Sequence, residues 1–273
     1  MFREIAEGVH LQPSLLYQTA CLVIADSHGV TAIDPGYFDV EIADSRALFD
    51  ALAAVHGGVR RLALTHSDFD HIVGAPAFRD AQCLTSADWD EANEARALGA
   101  LRRFDAEHYI ERATPLKEPV RRDVALGDGD ECGAFVSYGA KGHTDDGLVL
   151  YHRPSRVLIV GDYLSDLEFP FIYTSATRYR ETLEKLAELV GRSRPALLVS
   201  QHGRPAVGAS EISARLDEAR RYLGSLLTAA EAADTPEEAA LRSGASWRGR
   251  VPDHLWEQHL ENARIALRDQ KRV

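Results

Sequence analysis

The sequence predicts an α/β chain in which two sheets pack face to face and helices cover the outside, a four-layer αββα sandwich. Two observations point there. The chain falls into two halves, each with strands first and helices after. Strand-length apolar runs also alternate with longer segments whose apolar residues recur at helical spacing. Ordinary α/β folds fit the same periodicity.

The elements follow in order. Leu15 to Ala25 is rich in strand formers, Ser27-His28-Gly29 supplies a turn, and Val30 to Ile33 returns as a second strand before the break at Asp34-Pro35-Gly36. Glu41 to His56 carries Ile42, Leu48, Leu52 and Val55 on one helical face and stops before Gly57-Gly58. Val59 to Leu64 is a short strand that runs into Thr65 to Gly74. Gln82 to Leu84 is another strand. Ser86 reads as the N-cap of a polar helix from Trp89 to about Asp105. The stretch from Glu107 to Gly129 is charged, holds Pro115 and Pro119, and reads as loop.

The second half opens with strands at Ala134 to Ala140, Leu148 to His152 and Val157 to Val160, the last two joined by an Arg153-Pro154-Ser155 turn. Thr177 to Val190 is an amphipathic helix, and Ala196 to Ser200 is one more strand. Everything after Ser210 reads as helix, with a capping box at Thr235-Pro236-Glu237-Glu238. One domain over residues 1–273 is expected, with a helical extension from about 210 to 273.

Composition excludes several classes. The chain of 273 residues is 45% hydrophobic and 27% charged, values of an ordinary globular protein and not of a disordered one. The formal net charge of −11, with no dense Lys/Arg run, argues for a small-molecule partner and against nucleic acid. No apolar run reaches membrane-spanning length, so no membrane partner is expected. A homodimer is left open. Cys21, Cys83 and Cys132 are odd in number and far apart, which predicts small buried thiols in a reducing cytoplasm. Residues 1–9 lack the apolar stretch of a signal peptide.

The chemistry concentrates in Thr65-His66-Ser67-Asp68-Phe69-Asp70-His71. Four potential metal ligands fall within six residues directly after a strand. Imidazole nitrogens and carboxylate oxygens together suit zinc, iron or manganese. Further donors follow three later strands: His143 in Lys141-Gly142-His143-Thr144, Asp162 in Val160-Gly161-Asp162, and His202 in Ser200-Gln201-His202-Gly203. Ligands at strand ends converge on one edge of a sheet.

In this ordered set the chain resembles the metallo-β-lactamase superfamily, whose signature is a His-x-His-x-Asp-His loop after a strand, then a His, a Gly-Asp and a final His. The resemblance runs from about Leu15 to Pro205 and takes in Asp34, where the family has a structural Asp-x-Gly. It implies two mixed sheets with outer helices. It also implies two divalent metal ions, zinc favoured and iron or manganese allowed. His66, Asp68 and His143 would hold the first, and Asp70, His71 and His202 the second. Asp162 would bridge both beside a bridging hydroxide nucleophile, with Asp70 and Asp162 counted as catalytic. The implied activity is hydrolysis of a small ester, thioester or lactone.

The departure is Asp68, where the family usually has His. A third carboxylate neutralises the cluster further, weakens the metals as Lewis acids and shifts preference from zinc toward iron or manganese. Family members with a carboxylate here include di-iron flavodiiron proteins, which use Glu and carry a flavodoxin-like domain for which this chain is too short. The alternative function is therefore a non-haem di-iron oxidoreductase of oxygen, nitric oxide or persulfide chemistry.

Other residues are read more plainly. Asp145 and Asp146 are taken as solvated turn carboxylates, though either could orient His143. Tyr163 and Tyr173 are taken as core or rim packing, though either could donate to an oxyanion. His10, His28, His56, His108, His152, His254 and His259 lack ligand context and are taken as surface or partly buried. Trp247, Trp256 and Tyr222 are taken as packing residues. The segment 89–129 and the helices after Ser210 are expected to wall the substrate.

Overall fold

The computed structural model describes residues 1–271. The chain opens on a hairpin that the strand signal had not revealed, β1 (Arg3–Ala6) and β2 (Val9–Pro13), paired antiparallel. β3 (Ala20–Asp26) is shorter than the apolar run from Leu15, because residues 14–19 leave the sheet as a loop in which Tyr17 and Gln18 both adopt positive φ. β4 (Gly29–Ile33) follows, then α1 (Asp39–His56), β5 (Val59–Ala63), α2 (Phe69–Ile72) and β6 (Gln82–Ser86). α3 (Glu91–Glu107) is capped by Asp90, whose carboxylate accepts from Ala92 N and Asn93 N; the expected cap, Ser86, is the last residue of β6. After a long loop, β7 (Val124–Leu126) completes the first sheet.

The second half contains β8 (Glu131–Cys132), β9 (Phe135–Ala140), β10 (Gly147–His152), β11 (Val157–Ile159), α4 (Ala176–Ser193), β12 (Leu197–Val199) and β13 (Ala206–Val207). Three helices end the described chain: α5 (Gly208–Glu231), α6 (Pro236–Ser243) and α7 (Trp256–Gln270). The helical stretch after Ser210 is thus broken between α6 and α7. Its Thr235 cap bonds Glu238 N as expected, but Glu238 reaches back to Asp234 N and not to Thr235 N, so the box is reciprocal one residue early.

The first sheet has the order β1-β2-β3-β4-β5-β6-β7, antiparallel as far as β4 and parallel beyond it. The second runs β13-β12-β11-β10-β9-β8, with one parallel pair, β11 and β12. Both sheets are mixed. Alternation along each strand sends one row of side chains between the sheets. Leu22, Ile24, Ile33 and Leu84 from the first meet Phe135, Leu148, Leu150, Ile159 and Val199 from the second. The opposite row of the first sheet, including Val23, Ala32 and Leu62, packs under Phe49 of α1 and Leu98 of α3. That of the second, including Val149, Leu158 and Leu198, packs under α4, α5 and α7. β4 is buried at every position, as a strand covered on both faces must be. On α4 the buried positions Tyr179, Thr182, Leu183, Leu186 and Leu189 keep helical spacing.

These four layers place the C-terminal ends of β4, β5, β9, β11 and β12 along one edge. The turns leaving those ends carry Asp34, residues 65–71, His143, Asp162 and His202. Backbone conformation there is demanding. Gly142 sits at φ +115 with its α-carbon so near α4 that an added Cβ would lie 2.3 Å from Tyr179 N, so only glycine fits before His143. Among the described residues no helix is long and apolar enough to cross a membrane. All three thiols are free; Cys21 and Cys83 are buried as expected, but Cys132 is only partly so.

Candidate metal centre

β5 delivers His66 one turn before α2, and α2 places Asp70 and His71 in its first turn, with Asp68 as the residue before the helix. The second sheet supplies His143, Asp162 and His202. All seven residues meet. His66, Asp68 and His143 offer donor atoms within 4.8 Å of one another, as do Asp70, His71 and His202, and a third such group is His66, His71 and Asp162. Asp162 lies between the first two: its Oδ2 is 3.2 Å from His143 Nε2 and 3.1 Å from His202 Nε2, and its Oδ1 is 3.4 Å from His71 Nε2.

Each imidazole has its far nitrogen committed elsewhere. His143 Nδ1 donates to Phe171 O at 2.8 Å, and His202 Nδ1 to Tyr17 O at 3.0 Å. A carbonyl can only accept, so the proton sits on Nδ1. His71 Nδ1 donates to Asp34 Oδ2 at 3.0 Å. Thr65 Oγ1 gives its proton to Asp34 Oδ2 and so accepts from His66 Nδ1 at 3.1 Å. All four rings therefore aim Nε2 at the centre of the cluster.

That convergence demands positive charge. His66 Nε2 and His143 Nε2 stand 3.3 Å apart, and two lone pairs cannot bond each other. His71 Nε2 and Asp162 Oδ1 are buried without a hydrogen-bond partner. Burial opposes protonation of His143 and His202, yet the facing Asp162 carboxylate overrides it and pushes the first to about 10 and the second to about 9. His71 is likewise raised, against burial, by Asp70 and Asp162. For Asp68, burial is outweighed by hydrogen bonds from His143 and His66, which hold the carboxyl far below its usual range. Buried Asp162 is held low by His202, His71, His66 and His143. Protons here occupy positions suited to cations. Neighbouring donor atoms 3.1–3.6 Å apart match the roughly 3.3 Å between ligands of one tetrahedral ion with bonds of about 2.0 Å, so the residues fit first-row metal ions.

Several positioning residues carried no motif. Asp70 Oδ2 accepts from Thr19 Oγ1 at 3.0 Å, and Asp68 Oδ1 from Asn93 Nδ2 at 3.2 Å. Gln201 Nε2 donates to Asp34 and to Ala20 O. Buried Glu41 accepts from Ser14 Oγ, Leu15 N, Tyr37 N and Phe38 N, which ties the 14–19 loop to the start of α1. Asp34 was expected only through the family resemblance; Thr19, Glu41 and Asn93 come from loops and helices whose approach only the tertiary fold determines.

Other expectations change. Asp146 is not solvated: it is fully buried and accepts from Asp90 N at 3.3 Å. Asp145 accepts from Thr174 Oγ1 and Arg178 Nη1. Neither is hydrogen-bonded to His143. Buried Tyr163 accepts from His143 N behind the ring, whereas Tyr173 is 44% exposed with its ring 4.9 Å from that of His143, at the rim. Tyr17, half exposed, flanks His202 on the other side. The 14–19 loop and the segment 164–174 bring Tyr17 and Tyr173 to the cluster, and the expected 89–129 stretch brings Asn93 beside Asp68, while α5 to α7, also expected as walls, lie behind the second sheet. His152 and His259 are fully buried: His152 bonds Asp26 and Ser155, and His259 bonds Tyr222. Trp247, Trp256 and Tyr222 pack in the helical core as expected.

The family model described as the Metallo-beta-lactamase superfamily matches residues 15–202. No curated protein matches the sequence. Among solved structures, a metallo-beta-lactamase family protein from Thermus thermophilus superposes with a TM-score of 0.65 at 18% identity, over 98% of this chain and 95% of that one. The stereoselective inverting sec-alkylsulfatase Pisa1 from Pseudomonas sp. gives 0.69 at 14% identity, over 98% of this chain, which spans only 49% of that one. A metallo beta lactamase from Hirschia baltica gives 0.53 at 16% identity, over 80% and 96%. At these identities the likeness is one of fold.

Proposed function

This chain belongs to the metallo-beta-lactamase superfamily, and from that premise we propose that it is a dinuclear metal-dependent hydrolase of a small ester, thioester or lactone-type substrate. The observation that carries the reading is the pair of three-donor groups facing Asp162 from either side. His66, Asp68 and His143 would hold one ion and Asp70, His71 and His202 the other, with Asp162 shared. Bound divalent ions supply Lewis acidity toward a carbonyl and lower the pKa of water, in zinc enzymes to about 7.

The protein's own groups do the rest. Asp34, Thr65, Phe171 O and Tyr17 O lock the four rings so that Nε2 faces inward. Asp162, which faces all four histidines, and Asp70, beside His71 and His202, are the carboxylates we assign to catalysis. Tyr17 beside His202 and Tyr173 beside His143 are partly exposed aromatic residues, suited to an uncharged or apolar acyl group. No Ser or Cys nucleophile is required. We place the protein in the cytoplasm, where its free thiols are stable.

A second reading, a di-iron oxidoreductase, draws on Asp68 alone. Its Oδ2 lies 3.6 Å from His66 Nε2 and 3.5 Å from His143 Nε2, so a third carboxylate does face the first group. The deciding experiment is elemental analysis of protein purified without chelators, followed by an ester, thioester and lactone panel. We expect about two zinc, iron or manganese ions per chain and turnover on at least one carbonyl class. Protein that holds no metal and takes up none on titration sinks both readings. Two irons with oxygen consumption and no hydrolysis leaves the second.

A further inference from the structure

Beyond the donor groups, the segment Pro170 to Ile172 is held by a single side chain from the far end of the sequence. Asn262 of α7 is fully buried. Its Nδ2 donates to Pro170 O at 2.6 Å, and its Oδ1 accepts from Ile172 N at 3.0 Å. The two backbone groups flank Phe171, whose carbonyl accepts the Nδ1 proton of His143. Pro170 O can only accept and Ile172 N can only donate, so the amide has one orientation. Its remaining bonds agree with that orientation: Nδ2 also donates to Tyr222 Oη at 2.8 Å, and Oδ1 also accepts from Gln258 Nε2 at 3.1 Å. Just beyond, Tyr173 N donates to His143 O, which lays the same segment along the histidine it orients.

The geometry assigns Asn262 as a positioning residue for His143. Through the Phe171 carbonyl, the C-terminal helix sets the ring angle and tautomer of one donor in the His66, Asp68 and His143 group. The inference rests on the reading that this group holds a metal ion. It gives α7 a part in the centre that its place behind the second sheet conceals. Without the amide, Pro170 O and Ile172 N lose buried partners and the carbonyl between them is free to rotate off His143 Nδ1. The Asp70, His71 and His202 group has its own anchors, Thr19, Asp34 and Tyr17 O, none of which touches Asn262. The effect should therefore fall mainly on one ion.

The test is stepwise metal affinity, measured by titrating the stripped 273-residue chain with Co(II) and Zn(II) against a chelator. In Asn262→Leu and Asn262→Ser, one binding step should weaken about tenfold, the low end of the range for losing a ligand's direct partner, because Asn262 acts through the Phe171 carbonyl. The other keeps its own anchors and should weaken several-fold less, feeling the change only through the shared Asp162. The weakened step should be the one abolished in Asp68→Ala, and its Co(II) absorption bands should shift. Tyr222→Phe removes another partner of the amide but leaves the clamp, so it should lower the melting temperature without splitting the two affinities. Asn262→Ser, which leaves room for water, carries the test if Asn262→Leu does not fold. Two unchanged steps, or two that weaken to the same extent, overturn the inference while the metal reading stands. Wild-type protein that takes up no metal overturns both.

Discussion

Asp34 and His71 are joined by a 3.0 Å hydrogen bond, Nδ1 to Oδ2, in a place where neither side chain has any solvent exposure. The same carboxylate accepts from Thr65 N, Thr65 Oγ1 and Gln201 Nε2. One buried anion at the end of β4 thereby fixes the loop after β5, the first turn of α2 and the turn after β12. It touches His71 directly and His66 through Thr65, so it serves both donor groups.

Asp34→Ala should accordingly destabilise the protein by about 3–5 kcal/mol, the range for removing one partner of a buried charged network. Asp34→Asn is the more informative change. The amide keeps the shape but not the charge, and its single acceptor oxygen cannot serve both Thr65 N on one side and the Thr65 hydroxyl, His71 and Gln201 on the other. Metal affinity should drop about 10- to 100-fold with a smaller loss of stability. Chemical denaturation and chelator competition measure the two quantities separately. An Asp34→Asn protein that binds metal like the wild type would show that the ring is oriented by packing alone.

Much of this arrangement was legible in the sequence because its signals are local. The strand before Thr65, the donor-rich loop and the donors just after β9, β11 and β12 each announce themselves by an apolar run ending in a polar residue. What escaped has physical reasons. β1, β7, β8 and β13 are short, partly exposed strands at sheet edges, β7 lying inside the stretch read as loop, and the mostly buried β2 interleaves His10 and Gln12 with its apolar residues, so none shows a continuous apolar run. Leu15 and Tyr17 look like strand residues but are 86% and 50% exposed on a loop, because Glu41 and the His202 bond to Tyr17 O hold the chain off the sheet. Asn262 is 119 residues from His143 in sequence, and no spacing rule relates them.

Protonation and metal uptake should pull in opposite directions along the pH axis. Burial disfavours a charged ring at His143 and His202, but Asp162 overrides it and raises them to about 10 and about 9, against 6.5 for an ordinary histidine. A raised folded-state pKa contributes stability that is complete below about 6.5 and is lost as pH climbs through the folded values. Stripped protein should thus melt at a lower temperature at pH 10 than at pH 7. Metal needs the unprotonated ring, so affinity should instead tighten over the same range. Melting curves of stripped protein and metal titrations at matched pH check both slopes. Stripped protein that gains stability between pH 7 and pH 10 would refute the account of the cluster as a proton store.

Asp162 and Asp145 offer a comparison between a central and a peripheral carboxylate. Asp162 lies within 3.1–3.6 Å of Nε2 of all four histidines, while Asp145 bonds Thr174 and Arg178 outside the cluster. Asp162→Ala should abolish measurable turnover and reduce bound metal. Asp145→Ala should cost about 1 kcal/mol of stability or less, as for a partly exposed ion pair, and leave metal content unchanged. Assays of both variants on the same substrate decide it. Near-wild-type turnover in Asp162→Ala would remove the shared-ligand role.

Asp68 makes the last prediction, and it separates the two readings of the chemistry. Its Oδ2 faces His66 and His143, while its Oδ1 accepts from Asn93, a residue of α3 that also bonds Ser67. The carboxylate is therefore held in place from outside the cluster. Oxygen is a harder donor than imidazole nitrogen, so the first group should favour iron or manganese more, and zinc less, than a three-histidine group would. Asp68→His exchanges an anionic ligand for a neutral one and raises the charge of the loaded centre by one unit. It should shift the metal ratio toward zinc. A zinc hydrolase should keep or gain activity, since a less neutralised ion is the stronger Lewis acid. An iron oxidoreductase should lose activity with the wrong metal in place. Asn93→Ala supplies the control: it frees the Asp68 side chain without changing its charge, so it should loosen the first group without moving the metal ratio toward zinc. Elemental analysis and turnover of the three proteins, purified side by side, give the answer. If Asp68→His changes neither metal ratio nor rate, the Asp68 carboxylate is not a ligand, and the charge argument built on it fails.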